Sequence, residues 1–258
     1  MTELIMREQK ADYEHYAELL ARRDILTREA DSYMDLYIHE FGQELTALFS
    51  EKVECIRLKK CIAFAQQAAN HGRKADPSAM RLAVESEMTA YYQQLSEMAQ
   101  DNERCREIRF APENTVRQVK KIYRDLAKQL HPDLNPETEK NPKLQELWNR
   151  IGAAYRAYDL KEMRELQVLA AEALRSLGME AQEIEIPDVQ TRIEELEKEI
   201  HEITEKDPYR FRFLLEDDQA VQEKHKEIAE ELAQWQDGRR QLEEMLNELL
   251  GGIAWQMN

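Results

Sequence analysis

His131, Pro132 and Asp133 stand in succession near the middle of the chain. An imidazole and a carboxylate two residues apart are groups that move protons or hold metals. Pro132 changes that reading. It lacks an amide hydrogen and keeps the residue before it out of helical geometry, so it ends any preceding helix and sets both side chains on an exposed bend. The sequence has no Gly-rich phosphate loop, and no third ligand stands at metal spacing with the pair. Enzymatic chemistry is therefore not expected, and neither is a metal or another cofactor.

The helices around the bend must position it. Residues 115–130 read TVRQVKKIYRDLAKQL, with Thr115 and Gln118 at capping-box spacing. At about 100° per residue, Arg117, Lys120, Lys121, Arg124 and Lys128 fall on one side of a helix. Val116, Val119, Ile122, Tyr123, Leu126 and Leu130 occupy roughly the opposite side. Asp125 is the lone acid among these bases, whereas a merely solvated face mixes signs. The stripe therefore calls for an acidic partner. After a loop over 134–142, KLQELWNRIGAAYRAYDL places Trp148, Ile151, Ala154, Tyr155 and Tyr158 on one face, so this helix can lie antiparallel to the first. A further helix opens near Asp159 and stops at Gly178.

The run Val119-Lys120-Lys121-Ile122-Tyr123-Arg124-Asp125-Leu126-Ala127, then His131-Pro132-Asp133, then Trp148, Ile151, Ala154 and Tyr155, resembles the second and third helices of a J-domain of the DnaJ/Hsp40 type. The resemblance covers about a fifth of the chain, roughly residues 112–166. It implies a co-chaperone that docks on an Hsp70-type (DnaK-like) chaperone and triggers ATP hydrolysis through the bend. It implies that Lys120, Lys121, Arg124 and Lys128 steer and dock, that Asp133 is read by an Hsp70 arginine, and that His131 and Pro132 hold the bend. Tyr123, Leu126, Trp148, Ile151, Ala154 and Tyr155 would then form the core of the hairpin. The usual first-helix motif, of the Asp-Tyr-Tyr-x-Leu-Leu-Gly type, is missing before Thr115, and the segment near Cys105 and Ile108 is the expected substitute. The Gly/Phe-rich linker, the zinc repeats and the β-rich client-binding region found in such proteins are missing as well.

Composition bounds the rest. The 258 residues are 42% hydrophobic and 34% charged, with only 7 Gly and 7 Pro. That balance suits long helices and few turns. The expected fold is all-α, with the J-domain-like hairpin at 111–178 embedded between an antiparallel long-helix bundle at 1–110 and an antiparallel helical hairpin at 187–250. Net charge is −16, and by segment it is −5 over 1–110, −1 over 111–186 and −10 over 187–258. Such an excess of acid opposes nucleic acid and anionic membranes as partners. Cys55, Cys61 and Cys105 form no CxxC pair and are odd in number, as expected of reduced thiols in the cytoplasm. The N-terminus carries charge at once, and no apolar stretch approaches a membrane span.

Helical seams fill both arms. Tyr13, Tyr16, Leu20, Ala30, Tyr33, Tyr37, Phe41, Leu45 and Leu48 predict one helix over 3–49, with looser spacing near Asp24, and a second runs from about Val53 to Asn70. Asn70-His71-Gly72 is a stop, and Asp76-Pro77 restarts a third helix. Val189 to Ile203 and Val221 to Leu249 make two further seams around a turn at Lys206-Asp207-Pro208-Tyr209, with Gly251-Gly252 at the end. Such arms offer surfaces for a client or partner protein. The other reading open at this point is a coiled-coil scaffold or adaptor whose hairpin is only a packing unit.

Overall fold

With few glycines and prolines to interrupt it, the chain is helical throughout the computed structural model, which describes residues 2–106, 111–178 and 188–251, and only the backbone of 2–10. No strand occurs among the described residues. Ile108 and Gly252 fall outside them. In chain order the helices are α1 (Thr2–Asn70), α2 (Pro77–Arg106), α3 (Glu113–Leu130), α4 (Glu137–Lys140), α5 (Pro142–Arg156), α6 (Leu160–Ser176), α7 (Val189–Glu205), α8 (Phe211–Leu215) and α9 (Asp218–Leu249). None is long and apolar enough to cross a membrane.

The first two expected helices are one. α1 runs unbroken for 69 residues. Ser50, Glu51 and Lys52 contain no helix breaker, and Glu51 and Lys52 pair with Arg239 and Glu231, so nothing there ends the hydrogen-bond ladder. The stop at Gly72 (φ +66°) and the restart at Pro77 stand as the sequence indicates, with Asp76 accepting from the Ser78 N–H at 3.1 Å.

Residues 1–34 and 109–211 form one compact unit, and residues 35–108 and 212–258 another. In the first, α3, α5 and α6 pack on one another. Val119, Ile122, Leu126 and Leu130 of α3, Leu144, Leu147 and Ile151 of α5, and Met163, Leu166 and Ala170 of α6 bury into a single core. Ala21 and Ile25 of α1 join that core, so α1 supplies the packing left open by the missing first-helix motif. A second cluster joins Tyr16, Leu20 and Leu26 of α1 to Ile193, Leu196 and Ile200 of α7 and to Leu134 just after the bend. This stretch of α1 is therefore apolar on two sides, which is why its periodicity loosens near Asp24.

In the second unit, α1 and α2 run antiparallel, joined by Lys60–Glu87 at one end and Arg104–Asp35 (2.6 Å) at the other. Where they cross, the Asn102 side chain donates to the Gly42 carbonyl at 3.1 Å and to the Thr46 hydroxyl at 2.8 Å. A Cβ at Gly42 would lie 2.0 Å from the Asn102 side-chain oxygen, so glycine is needed for this approach. The seam of α9 also finds its partner on α1, with Ile228 against Phe41 and Leu48, and Leu246 against Val53 and Leu58. Cys55, Cys61 and Cys105 are free and buried.

Candidate functional site

α3 starts at Glu113, two residues before the expected cap. Pro112 precedes it without a side-chain cap bond, and Arg117 pairs with Glu113 at 2.7 Å. Thr115 lies inside the first turn, where the fixed geometry of Pro112 has already begun the helix, so the capping box does not define the start. At the other end the His131 N–H closes the last turn on the Ala127 carbonyl at 2.9 Å, after which His131 is extended (φ −61°, ψ 129°), as a residue before proline must be.

The bend is tied down by its own backbone and by Asn135. The His131 carbonyl accepts from the N–H groups of Leu134 (2.9 Å) and Asn135 (2.8 Å). The Asn135 side chain is buried, donating to the Gln129 carbonyl at 3.0 Å and accepting from the Glu137 N–H at 3.2 Å. Nδ1 of His131 accepts from the Asp133 N–H at 3.1 Å, which places the hydrogen of the neutral ring on Nε2. Nε2 faces Asp24 of α1, 3.4 Å from its carboxylate. The ring also meets the Trp148 indole edge-on, centroids 5.3 Å apart. His131 is consequently buried, at 7% exposure, and not presented to solvent as the tripeptide alone suggests. Pro132 is half-buried, and Asp133 stands out with its side chain 48% exposed.

The basic stripe divides in the same way. Lys121 is exposed and makes no ion pair among the described residues. Lys128 reaches Glu18 of α1 at 2.9 Å, and Arg124 lies 4.0 Å from the same carboxylate. The hydrogen bond from Lys128 holds the Glu18 carboxyl below its ordinary range, although partial burial opposes this. Lys120 is half-buried on Glu29 of α1. Burial alone would push the Asp24 carboxyl up, yet hydrogen bonds from His131 and Arg23 outweigh it and hold the group low.

Of the residues assigned to the hairpin core, Tyr123, Leu126, Ile151, Ala154 and Tyr155 lie in the one buried cluster, with Trp148 half-buried at its margin. The Tyr123 and Tyr155 rings stack, centroids 4.3 Å apart. The Tyr123 hydroxyl donates to Asp24 at 2.8 Å, and burial raises its pKa strongly. Glu18, Asp24 and Glu29 are the site residues that sequence reasoning did not find. Glu18 and Glu29 are eleven positions apart, about three turns, so they share a side of α1, and that spacing of acids was the available signal. Among the described residues no group of His, Cys, Asp and Glu could hold a metal.

A basic helix is thus closed by a fixed bend from which one carboxylate projects. Residues 108–166 match the family described as the DnaJ domain, so the chain carries a J-domain. The same region is similar to DnaJ homolog subfamily B member 11 of Canis lupus familiaris and of Bos taurus, each 44% identical over 50 residues. That stretch is 19% of this chain and spans 13% of the length of those relatives. No solved structure is a significant match to the chain.

Proposed function

We propose that the chain is a cytoplasmic J-domain co-chaperone, itself without catalytic activity, that docks on an Hsp70 and accelerates its ATP hydrolysis. The observation that carries this reading is the bend. Its backbone is fixed by His131 and Asn135, and fixing it aims the Asp133 carboxylate outward beside the basic face of α3. A hairpin that only packed would need neither a projecting charge nor a one-signed stripe beside it. Lys120, Lys121, Arg124 and Lys128 would bring an acidic Hsp70 surface into register by long-range attraction, His131 and Pro132 would hold the bend, and Asp133 would pair with a cationic side chain on the chaperone. The helices outside the hairpin would address a client or partner protein.

Single-turnover ATP hydrolysis by an Hsp70 from the same host tests the reading. Acceleration on adding the chain is expected. An unchanged rate at saturating chain would leave the scaffold reading in its place.

A further inference from the structure

The face that would meet Hsp70 already has an occupant. Lys128 and Arg124 face Glu18, Lys120 pairs with Glu29, and between them Asp24 receives the Tyr123 hydroxyl at 2.8 Å and faces Nε2 of His131 at 3.4 Å. Glu18 lies at the Lys128 end and Glu29 at the Lys120 end, so α1 runs antiparallel along α3. Arg23 pairs with Asp24 at 2.8 Å. One stretch of helix thus sets acids against the basic stripe and a carboxylate against the histidine. This is the charge complement that a docking partner would need.

Packing alone does not require this. Ala21 and Ile25 already fill the place of a first helix in the core, and a helix needs no matched acids to do so. We infer that residues 18–29 of α1 act as a built-in competitor for the docking face, so that an acidic Hsp70 surface gains it only when the hairpin separates from α1. The inference rests on the co-chaperone reading and adds regulation to it. Among the described residues Lys121 and Asp133 are exposed and face no acid of α1, so they are available for first encounter, whereas Arg124 and Lys128, though exposed, are engaged by Glu18 and Lys120 is half-buried on Glu29. Affinity for Hsp70 is then lowered by the fraction of molecules in which the face is open, and whatever loosens α1 raises it.

The test uses the full chain and the isosteric double variant Glu18→Gln/Glu29→Gln. Amine-reactive labelling of Lys120 and Lys128, with exposed Lys121 as internal standard, reads the cover without Hsp70. Single-turnover hydrolysis reads the competition. In the variant, labelling of both lysines is expected to rise, and half-maximal stimulation to fall to about a three- to tenfold lower concentration with an unchanged maximum. Higher labelling with the same or a higher half-maximal concentration would overturn the inference and leave α1 as a structural replacement only. No stimulation by either protein, with labelling changed, would instead sink the co-chaperone reading. Should the variant fail to fold, the unmodified chain still decides. Carboxylate footprinting of Glu18 and Glu29 must increase when ATP-bound Hsp70 binds, and unchanged footprints on a bound complex contradict the inference.

Discussion

Nε2 of His131 lies 3.4 Å from the carboxylate of Asp24, a residue more than a hundred positions earlier in the chain. The same carboxylate accepts from Tyr123 and Arg23, so one half-buried acid ties α1 to both the bend and its helix. Asp24→Asn leaves the shape and removes the charge, and should destabilise the protein at neutral pH by about 1.5–3 kcal/mol, the range for hydrogen bonds to a charged group. The Asp24 pKa is lowered in the folded state. Its contribution is therefore present above the ordinary aspartate value of about 3.9 and is lost as pH falls through the lowered folded value. Thermal unfolding of both proteins should show a gap at pH 7 that narrows in acid; a gap that widens in acid contradicts the assignment.

Leu126 is fully buried in the hairpin core. Leu126→Ala should cost about 2–5 kcal/mol, because it leaves a cavity among helices already packed together. Urea unfolding followed by circular dichroism measures this. A loss under about 1 kcal/mol would mean that the site collapses around the smaller side chain.

The hairpin was legible in the sequence because its signals are local. The alternation of Val119, Ile122, Leu126 and Leu130, the proline at 132 and the turn of apolar residues from Trp148 to Tyr155 each fix geometry within a few residues. The role of α1 was not legible. A seam such as Tyr13-Tyr16-Leu20 says that a helix is buried on one side, but not what covers it. The second apolar side, at Ala21 and Ile25, is too short to register as a period. The continuity of α1 across Ser50 was missed because a shift in apolar register looks like a break when no partner is known. Pairing of Glu18 with Lys128 is a long-range fact that neither segment carries alone.

Lys121→Ala with Arg124→Ala removes two exposed charges from the proposed docking face without opening the core. Binding to ATP-loaded Hsp70 should weaken, and more so at low salt than at high, since exposed charges act over a screening length of about 10 Å at 0.1 M. Association rates at several ionic strengths check it. Equal rates for both proteins at low salt would remove these side chains from the site.

In the other unit, His225 sits between two carboxylates, with Nδ1 2.9 Å from Glu44 and Nε2 3.1 Å from Glu40. Hydrogen bonds that the ring donates to Glu44 first and Glu40 second raise its pKa. A raised folded pKa stabilises fully below the unfolded value of about 6.5, and the gain is lost as pH rises through the folded value. The melting temperature of the wild type should exceed that of His225→Gln near pH 6, and the two should converge in mild alkali. A difference independent of pH would show that the ring acts by packing on Phe41, 4.9 Å away, and not by its charge.

The bend itself is tested most directly by Asp133→Asn. Its side chain is 48% exposed, so helicity and thermal stability should stay close to those of the wild type, as usual for a surface substitution. Single-turnover hydrolysis by Hsp70 should then fall to the unstimulated rate at every concentration of the variant. Full stimulation by a folded Asp133→Asn protein would contradict the assignment of this chain as a co-chaperone acting through its His131-Pro132-Asp133 bend.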